Sequence, residues 1–230
     1  EDITVSLSTG GTATGGGVDY AFSTTSVTIP AGNTIATLTP DLKEDALDEN
    51  DETLTITLGS VTSGTASVGT DDTHTYTIMD DDPLPAVSFA NATASGREDV
   101  AGSVGVGVTL SQASGRKVTV GYSTAGTAIE GTDYTDDDGG SITFSSGETS
   151  KTITLSVVGD REGEPDETID LSFGTGSITN GEAGSTTAFT YTITNDDLGF
   201  TGPAGVGSPS TNPLWLRADS GITESGGGVT

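Results

Sequence analysis

The stretch that decides the fold reads VTVGYSTAGTAIEGTDYTDDDGGSITF and occupies residues 118–144. It opens with alternating β-branched and small residues, passes through a glycine-rich turn that carries Asp133-Tyr134, and closes with a second short alternating run. Short alternating segments bounded by Gly, Asp and Ser are typical of β-strands joined by turns. The stretch therefore predicts antiparallel strands on either side of an acidic turn.

The same pattern occurs earlier in the chain as ITVSLSTGGTATGGGVDYAFSTTSVTI, residues 3–29. Two further acidic segments also return in order. EDALDENDE at residues 44–52 matches GDREGEPDE at 159–167, and YTIMDDD at 76–82 matches YTITNDD at 191–197, an offset of 115 positions in both cases. A repeat of this length indicates two copies of one domain.

Composition limits the class of partner. The 230 residues include 34 acidic and seven basic side chains, for a formal charge of −27. Such a surface repels nucleic acid and anionic membranes, and attracts cations. The chain has no cysteine and one histidine, which excludes disulfides, thiol catalysis and multi-histidine metal sites. No run of about 18 apolar residues is present, so we expect no insertion into a membrane.

The strand-like segments predict an all-β fold of tandem two-sheet antiparallel sandwiches. In the first copy they are residues 3–5, 26–29, 35–38, 53–58 and 73–79. In the second copy they are residues 86–90, 103–110, 117–123, 141–144, 150–158, 168–173 and 188–194. The first copy is thus expected to lack its first two strands here and to be complete only in a longer parent protein.

The predicted domains are a partial sandwich at residues 1–82, a complete sandwich at 83–198, and a connector with the start of a further β domain at 199–230. Pro83 and Pro85 follow three aspartates between the copies, which predicts a short, stiff hinge. Glycine and proline punctuate residues 199–209, and residues 214–219 read as one more strand.

The repeated acidic runs predict a cation site at one end of each sandwich, where loops distant in sequence meet. Calcium takes six to eight oxygen ligands and suits carboxylates on neighbouring loops. The alternative is that these residues are solvated turn residues. The candidates in the first copy are Asp19, Glu44, Asp45, Glu49, Glu52, Asp80, Asp81 and Asp82. Those in the second are Glu98, Asp133, Asp160, Glu164, Glu167, Asn195, Asp196 and Asp197.

These motifs resemble the Calx-beta repeat. The shared features are Gly-Thr-Ala followed by Gly-x-Asp-Tyr, a turn reading IPAGNT or FSSGET, then Asp-x-x-x-Glu-x-Asp-Glu-Thr, and a terminal Thr-Ile-x-(Asp/Asn)-Asp-Asp. The resemblance covers residues 84–197 and about the last two thirds of a repeat in residues 1–82. It implies seven-stranded immunoglobulin-like sandwiches that bind calcium at the end facing the next domain, through the candidates named above.

Two positions depart from the family pattern. Gly159 stands where a carboxylate is expected, and Asn195 replaces an aspartate. The resemblance therefore implies that the second copy binds fewer ions than the first, or binds them more weakly. The tail GPAGVG followed by NPLWLRAD resembles the entry to a laminin-G or concanavalin-like domain.

The family occurs in sodium–calcium exchangers and in large bacterial surface proteins. We predict a calcium-binding structural segment of a large bacterial cell-surface or secreted adhesin or filament, without enzymatic activity, in which calcium stiffens the junctions. Its partners would be calcium, neighbouring repeats, and surface glycans or another surface or secretion protein. The alternatives are a calcium-sensing regulatory module of a membrane transporter and an accessory region of a secreted carbohydrate-active enzyme.

Overall fold

The computed structural model describes residues 1–98, 102–161 and 163–197. The predicted connector at 199–209 and the predicted strand at 214–219 lie outside this part of the chain. The described residues form sixteen β-strands and no helix. Accordingly, they contain no helical segment of the length and hydropathy needed to cross a bilayer.

The first repeat, residues 1–82, forms one four-stranded sheet and one two-stranded sheet. The larger sheet has the order β3-β1-β5-β6, and the smaller pairs β2 with β4. The strands are β1 (Ile3–Gly11), β2 (Tyr20–Ala21), β3 (Ser26–Ile29), β4 (Asp41–Leu42), β5 (Glu52–Ser63) and β6 (Thr73–Ile78).

The second repeat, from residue 83 to the end of the described chain, forms two five-stranded sheets. Their orders are β12-β10-β14-β16-β8 and β11-β13-β9-β7-β15. The strands are β7 (Ala86–Phe89), β8 (Thr93–Arg97), β9 (Gly102–Leu110), β10 (Val118–Gly126), β11 (Tyr134–Asp136), β12 (Ser141–Phe144), β13 (Ser150–Val157), β14 (Glu167–Thr179), β15 (Glu182–Ala183) and β16 (Ala188–Thr194).

The core of the second repeat lies between its two sheets. Val108 and Leu155 of one sheet and Val118 and Ile169 of the other belong to a single buried cluster. Inward residues alternate with polar or small ones along β9 and β13, as a period of two requires. The all-β sandwich expected from the sequence is therefore the observed architecture of this repeat.

The predicted strand at residues 35–38 does not form, which corrects the sequence analysis. Its counterpart in the second repeat, β13, pairs with β9 from Ser150↔Thr109 to Val157↔Gly102. Residues 1–82 contain no equivalent of β7, β8 or β9, so residues 35–38 have no strand to pair with. Only β4 remains paired, to β2, and Ile35 is 76% exposed.

The sequence pattern did not predict β8, which joins the edge of a sheet in parallel with β16. Thr190 to Thr194 lie opposite Thr93 to Arg97 in this pairing. Its sequence, Thr-Ala-Ser-Gly-Arg, lacks the large apolar residues by which a strand is recognised. The parallel pairing places Arg97 and Glu98 at the same end of the sheet as the acidic residues that follow β16.

Candidate metal centres

The eight candidates of the first repeat all line one cavity of about 60 Å³ at the end nearest the second repeat. Three of them, Asp19, Glu49 and Glu52, form its tightest group. One carboxylate oxygen from each lies within 4.8 Å of the other two. Asp19 comes from the turn before β2, Glu49 from the loop before β5, and Glu52 from the first position of β5. Their roles as ligands stay a prediction, but the structure does bring them together.

The second repeat gathers its candidates at the equivalent end. A cavity of about 10 Å³ is lined by Glu98, Asp133, Glu164, Glu167 and Asn195. The carboxylates of Asp133, Glu164 and Glu167 lie within 4.8 Å of one another and match the group in the first repeat position for position. This cavity is smaller than the one in the first repeat.

A second acidic group lies beside that cavity. Glu98, Asp196 and Asp197 offer carboxylate oxygens within 4.8 Å of one another. Asp160 is also near, because its backbone N–H donates to Glu98 Oε1 at 3.2 Å. Asn195 is fixed by two hydrogen bonds with Asp197: its Oδ1 accepts from the backbone N–H at 3.1 Å, and its amide donates to the carbonyl at 3.2 Å.

In each acidic run, one residue forms a hydrogen bond to the backbone and the next faces the cavity. Asp51 accepts the backbone N–H of Asp80 at 3.1 Å, and its counterpart Asp166 accepts that of Asn195 at 3.1 Å. These two aspartates tie the loop before the long strand to the end of the last strand. Their neighbours Glu52 and Glu167 are left to face the cavity, so the repeat of the sequence is also a repeat of the hydrogen-bonding pattern.

Like charges dominate both cavities. Burial, followed by the hydrogen bond and the charge of Asp19, raises the pKa of Glu52 to about 7. Burial, followed by the charge of Asp133, raises the pKa of Glu167 to about 7. Burial and the neighbouring carboxylates also raise the pKa of Glu49 and of Glu98. Carboxylates that share a site in this way favour a bound cation or a proton.

The donor set fits calcium. Every ionisable group in the two triads is a carboxylate, and oxygen is the ligand that calcium takes, whereas zinc sites are built mainly from cysteine and histidine. An acidic run elsewhere behaves differently. Asp136 accepts the hydroxyl of Tyr122 at 2.6 Å and the backbone N–H groups of Asp138 and Gly140 at 3.1 and 2.8 Å. That run is a hydrogen-bonded polar turn.

The junction between the repeats depends on a residue that the sequence analysis missed. Asp48 is 2% exposed, and its carboxylate accepts from Ser114 Oγ at 2.9 Å and from Arg116 Nε at 3.0 Å, with a second contact from Arg116 Nη2. Its carbonyl accepts the backbone N–H of Gly115 at 3.0 Å. One signal was present: Asp48 is an acid whose repeat counterpart is Gly163, so its role is not shared by the second copy.

Glu49, the next residue, contacts the same loop of the second repeat. A Cβ atom built on Gly115 would lie 2.3 Å from Glu49 Oε1 and 2.5 Å from its Cγ. Only glycine leaves room for the glutamate there. The first acidic triad is therefore in direct contact with the second repeat.

The profile of one family, described as the Calx-beta domain, matches residues 1–82 and again residues 80–197. No curated protein matches the chain.

Several solved structures are similar in fold. The apo form of the Calx CBD1 domain is 23% identical, with a TM-score of 0.44, over 50% of this chain and all of that one. The CBD12 structure from CALX1.2 is 21% identical, with a TM-score of 0.39, over 84% of this chain and 87% of that one. The calcium-binding domain CBD12 of CALX1.1 is 19% identical, with a TM-score of 0.35, over 83% and 86%.

Proposed function

Because the chain belongs to the Calx-beta family, we propose that it is a calcium-binding structural segment in which calcium stiffens the junction between the two repeats. Calx-beta domains bind Ca²⁺ and serve as regulatory or structural modules. We propose no catalytic activity for this chain. The observation that carries the proposal is that Glu49, in the first acidic triad, lies against Gly115 of the second repeat.

The residues proposed to hold calcium are the carboxylates that line each cavity. In the first repeat the triad of Asp19, Glu49 and Glu52 forms the centre, with the aspartates before Pro83 at its edge. Bound calcium would supply positive charge to a group of like charges, and so would stabilise an arrangement that otherwise repels itself.

Calcium binding would be coupled to the junction through the loop that contains Asp48 and Glu49. Glu49 faces the cavity, while Asp48 faces Ser114 and Arg116 of the second repeat. Consecutive Cα atoms are about 3.8 Å apart across a trans peptide, so fixing Glu49 limits how far Asp48 can move. Holding Glu49 at the metal therefore also holds Asp48 in position for Arg116.

The chain connection between the repeats reinforces this coupling. Asp80, Asp81 and Asp82 line the cavity and directly precede Pro83. The carbonyl of Pro83 accepts a hydrogen bond from Gln112 Nε2 at 2.8 Å. The hinge is therefore attached to the second repeat at the first residue after the three aspartates. Calcium in the cavity would engage the loop that meets the second repeat and the strand end that leads into it.

We place this segment in a large bacterial cell-surface or secreted protein, as part of an adhesin or filament. The acidic surface and the absence of cysteine support this setting, because both are compatible with an extracellular chain that uses calcium rather than disulfides for rigidity. A stalk and a transporter's calcium sensor differ in how far the junction moves. In a stalk calcium narrows the range of interdomain distances, and in a sensor it shifts the mean distance.

Thermal melting with calcium and in chelator tests the proposal. A ligand that binds only the native state stabilises it by about 2.7 kcal/mol at one hundred times its Kd, so calcium should raise the melting temperature clearly. The double variant Glu49→Gln/Glu52→Gln should lose the part of this shift that belongs to the first repeat.

The matched control is Asp71→Asn, which removes an exposed acid outside the acidic triads. A wild-type melting temperature that does not respond to calcium would show that the cavities are not calcium sites. A full response in Glu49→Gln/Glu52→Gln would show that the first triad is not one of them.

A further inference from the structure

One of the few basic side chains of the protein lies inside the second repeat's acidic cluster. Arg97 Nε donates to Asp196 Oδ2 at 2.9 Å, and Nη2 donates to the same oxygen. Asp196 belongs to the group with Glu98 and Asp197, so the guanidinium is attached to a candidate calcium ligand. Backbone pairing fixes this placement. Arg97 is the last residue of β8 and lies opposite Thr194, which comes two residues before Asp196.

The first repeat has no such arrangement in the described residues. The counterparts of Asp196 and Asp197 are Asp81 and Asp82, and neither forms an ion pair within the described part of the chain. Neighbouring aspartates surround Asp82 instead. The two repeats therefore treat equivalent acidic positions differently, with a fixed cation in one and like charges in the other.

We propose that Arg97 is a built-in counter-cation that competes with calcium for Asp196 and so weakens calcium binding by the second repeat. A guanidinium and a divalent cation repel each other, and both cannot hold the same carboxylate oxygen. The Arg97 side chain is 60% exposed while that of Asp196 is 9% exposed, so the arginine lies on the solvent side of the contact and the acid on the inner side. This inference rests on the proposed calcium binding.

The contact between Arg97 and Asp196 also stabilises the acidic cluster of the second repeat when calcium is absent. With calcium removed, Arg97 offsets part of the repulsion within the cluster, whereas Lys43, the basic side chain that lines the first repeat's cavity, pairs with Asp41 and with no member of the triad among the described residues. Arg97 therefore lowers the calcium affinity of the second repeat and raises its stability at low calcium. It reduces the dependence of the second repeat on the ion and leaves the first repeat as the more calcium-dependent of the two.

Calorimetric titration of the full chain tests this, in a background of Glu49→Gln/Glu52→Gln that removes the first triad. Arg97→Gln should tighten calcium binding roughly tenfold, the size expected for loss of a charged hydrogen bond at a partly exposed site. In chelator the same variant should melt about 3–5 °C lower. Arg97→Lys keeps the charge but not the paired N–H groups, so its affinity should fall between those of wild type and Arg97→Gln.

The control is Arg161→Gln, which removes the same charge from the adjacent acidic loop, where Arg161 forms no ion pair with a described residue. It should change the calcium Kd less than twofold. An Arg97→Gln variant that matches Arg161→Gln in Kd and in melting temperature overturns the role of Arg97. A background protein that binds no calcium either with Arg97 or with Arg97→Gln instead refutes calcium binding by the second repeat, and so separates the two failures.

Discussion

Replacing Arg116 by alanine should open the junction between the repeats. The change removes both guanidinium contacts from the Asp48 carboxylate and leaves Ser114 as its one side-chain partner. Asp48 is 2% exposed, so the uncompensated charge has little access to water while the junction stays closed. The closed arrangement thereby becomes unfavourable, because a buried charge without a partner carries most of its desolvation cost.

The size of the effect follows from the burial of the pair. Breaking a buried ion pair by removing one partner costs about 3–5 kcal/mol. The Arg116 side chain is 22% exposed, which places this pair near the lower end, at about 3 kcal/mol. Opening the junction hydrates Asp48 and removes the cost, so the energy appears as a change in the open-to-closed ratio of roughly 100-fold.

Distances between spin labels provide the assay. The chain has no cysteine, so cysteines placed at exposed strand positions Thr75 and Thr152, one in each repeat, can be labelled selectively. Pulsed electron resonance should give a narrow distribution for the wild type in calcium and a broad one for Arg116→Ala. Lys117→Ala is the control, since it removes a neighbouring exposed charge that forms no ion pair in the described residues.

If Arg116→Ala and Lys117→Ala gave the same narrow distribution, the buried pair would not be what holds the repeats together. A broad distribution in both would assign the effect to net charge in the loop rather than to Asp48. In either case the reasoning from burial would be refuted.

Three further predictions concern the same surfaces. Gly115→Ala should displace Glu49 and weaken calcium binding by the first repeat about tenfold in calorimetry. The control Gly69→Ala, where a Cβ meets open space, should leave the calcium affinity unchanged. Equal affinities for the two variants would contradict the contact between Gly115 and Glu49. Ser114→Ala should destabilise the junction by about 1 kcal/mol, less than Arg116→Ala, and a double-mutant cycle of the two should show non-additivity; strict additivity would mean that they do not share Asp48. In calcium-free buffer, stability measured by urea unfolding should fall as pH rises from 4.5 towards 7. Glu52 and Glu167 have folded pKa values of about 7, above their ordinary 4.5, so the stability gained from their bound protons is present below pH 4.5 and lost by pH 7. Glu52→Gln/Glu167→Gln should flatten this dependence, and an unchanged slope in that variant would assign it to other groups.

Local pattern was enough to predict the second repeat's core strands. Residues 103–110 and 150–158 alternate apolar and small or polar side chains, and they form β9 and β13 within two residues of the expected bounds. The strand expected at 35–38 does not form, because a strand also needs a partner. That requirement is non-local, and short-range periodicity does not contain it.

The residues of the candidate sites also fall into those that the sequence could identify and those that it could not. The triads Asp19, Glu49, Glu52 and Asp133, Glu164, Glu167 could be selected because repetition marks them out of many acids. Asp48 and Arg97 could not, since their partners are 68 and 99 positions away and neither contact is repeated among the described residues. Repetition identifies what the two domains share, whereas the contacts that distinguish them require coordinates.

The lone carboxylate at position 48 also bears on how such domains behave when joined in series. A domain attached to the far end of the second repeat would meet Gly163 at the equivalent position, and glycine offers no side chain to a neighbouring arginine. Successive links in an array of this design are therefore not interchangeable. Under the proposed function, a junction built around glycine would bend more freely than this one, and the contour of such an array would be set separately at each junction.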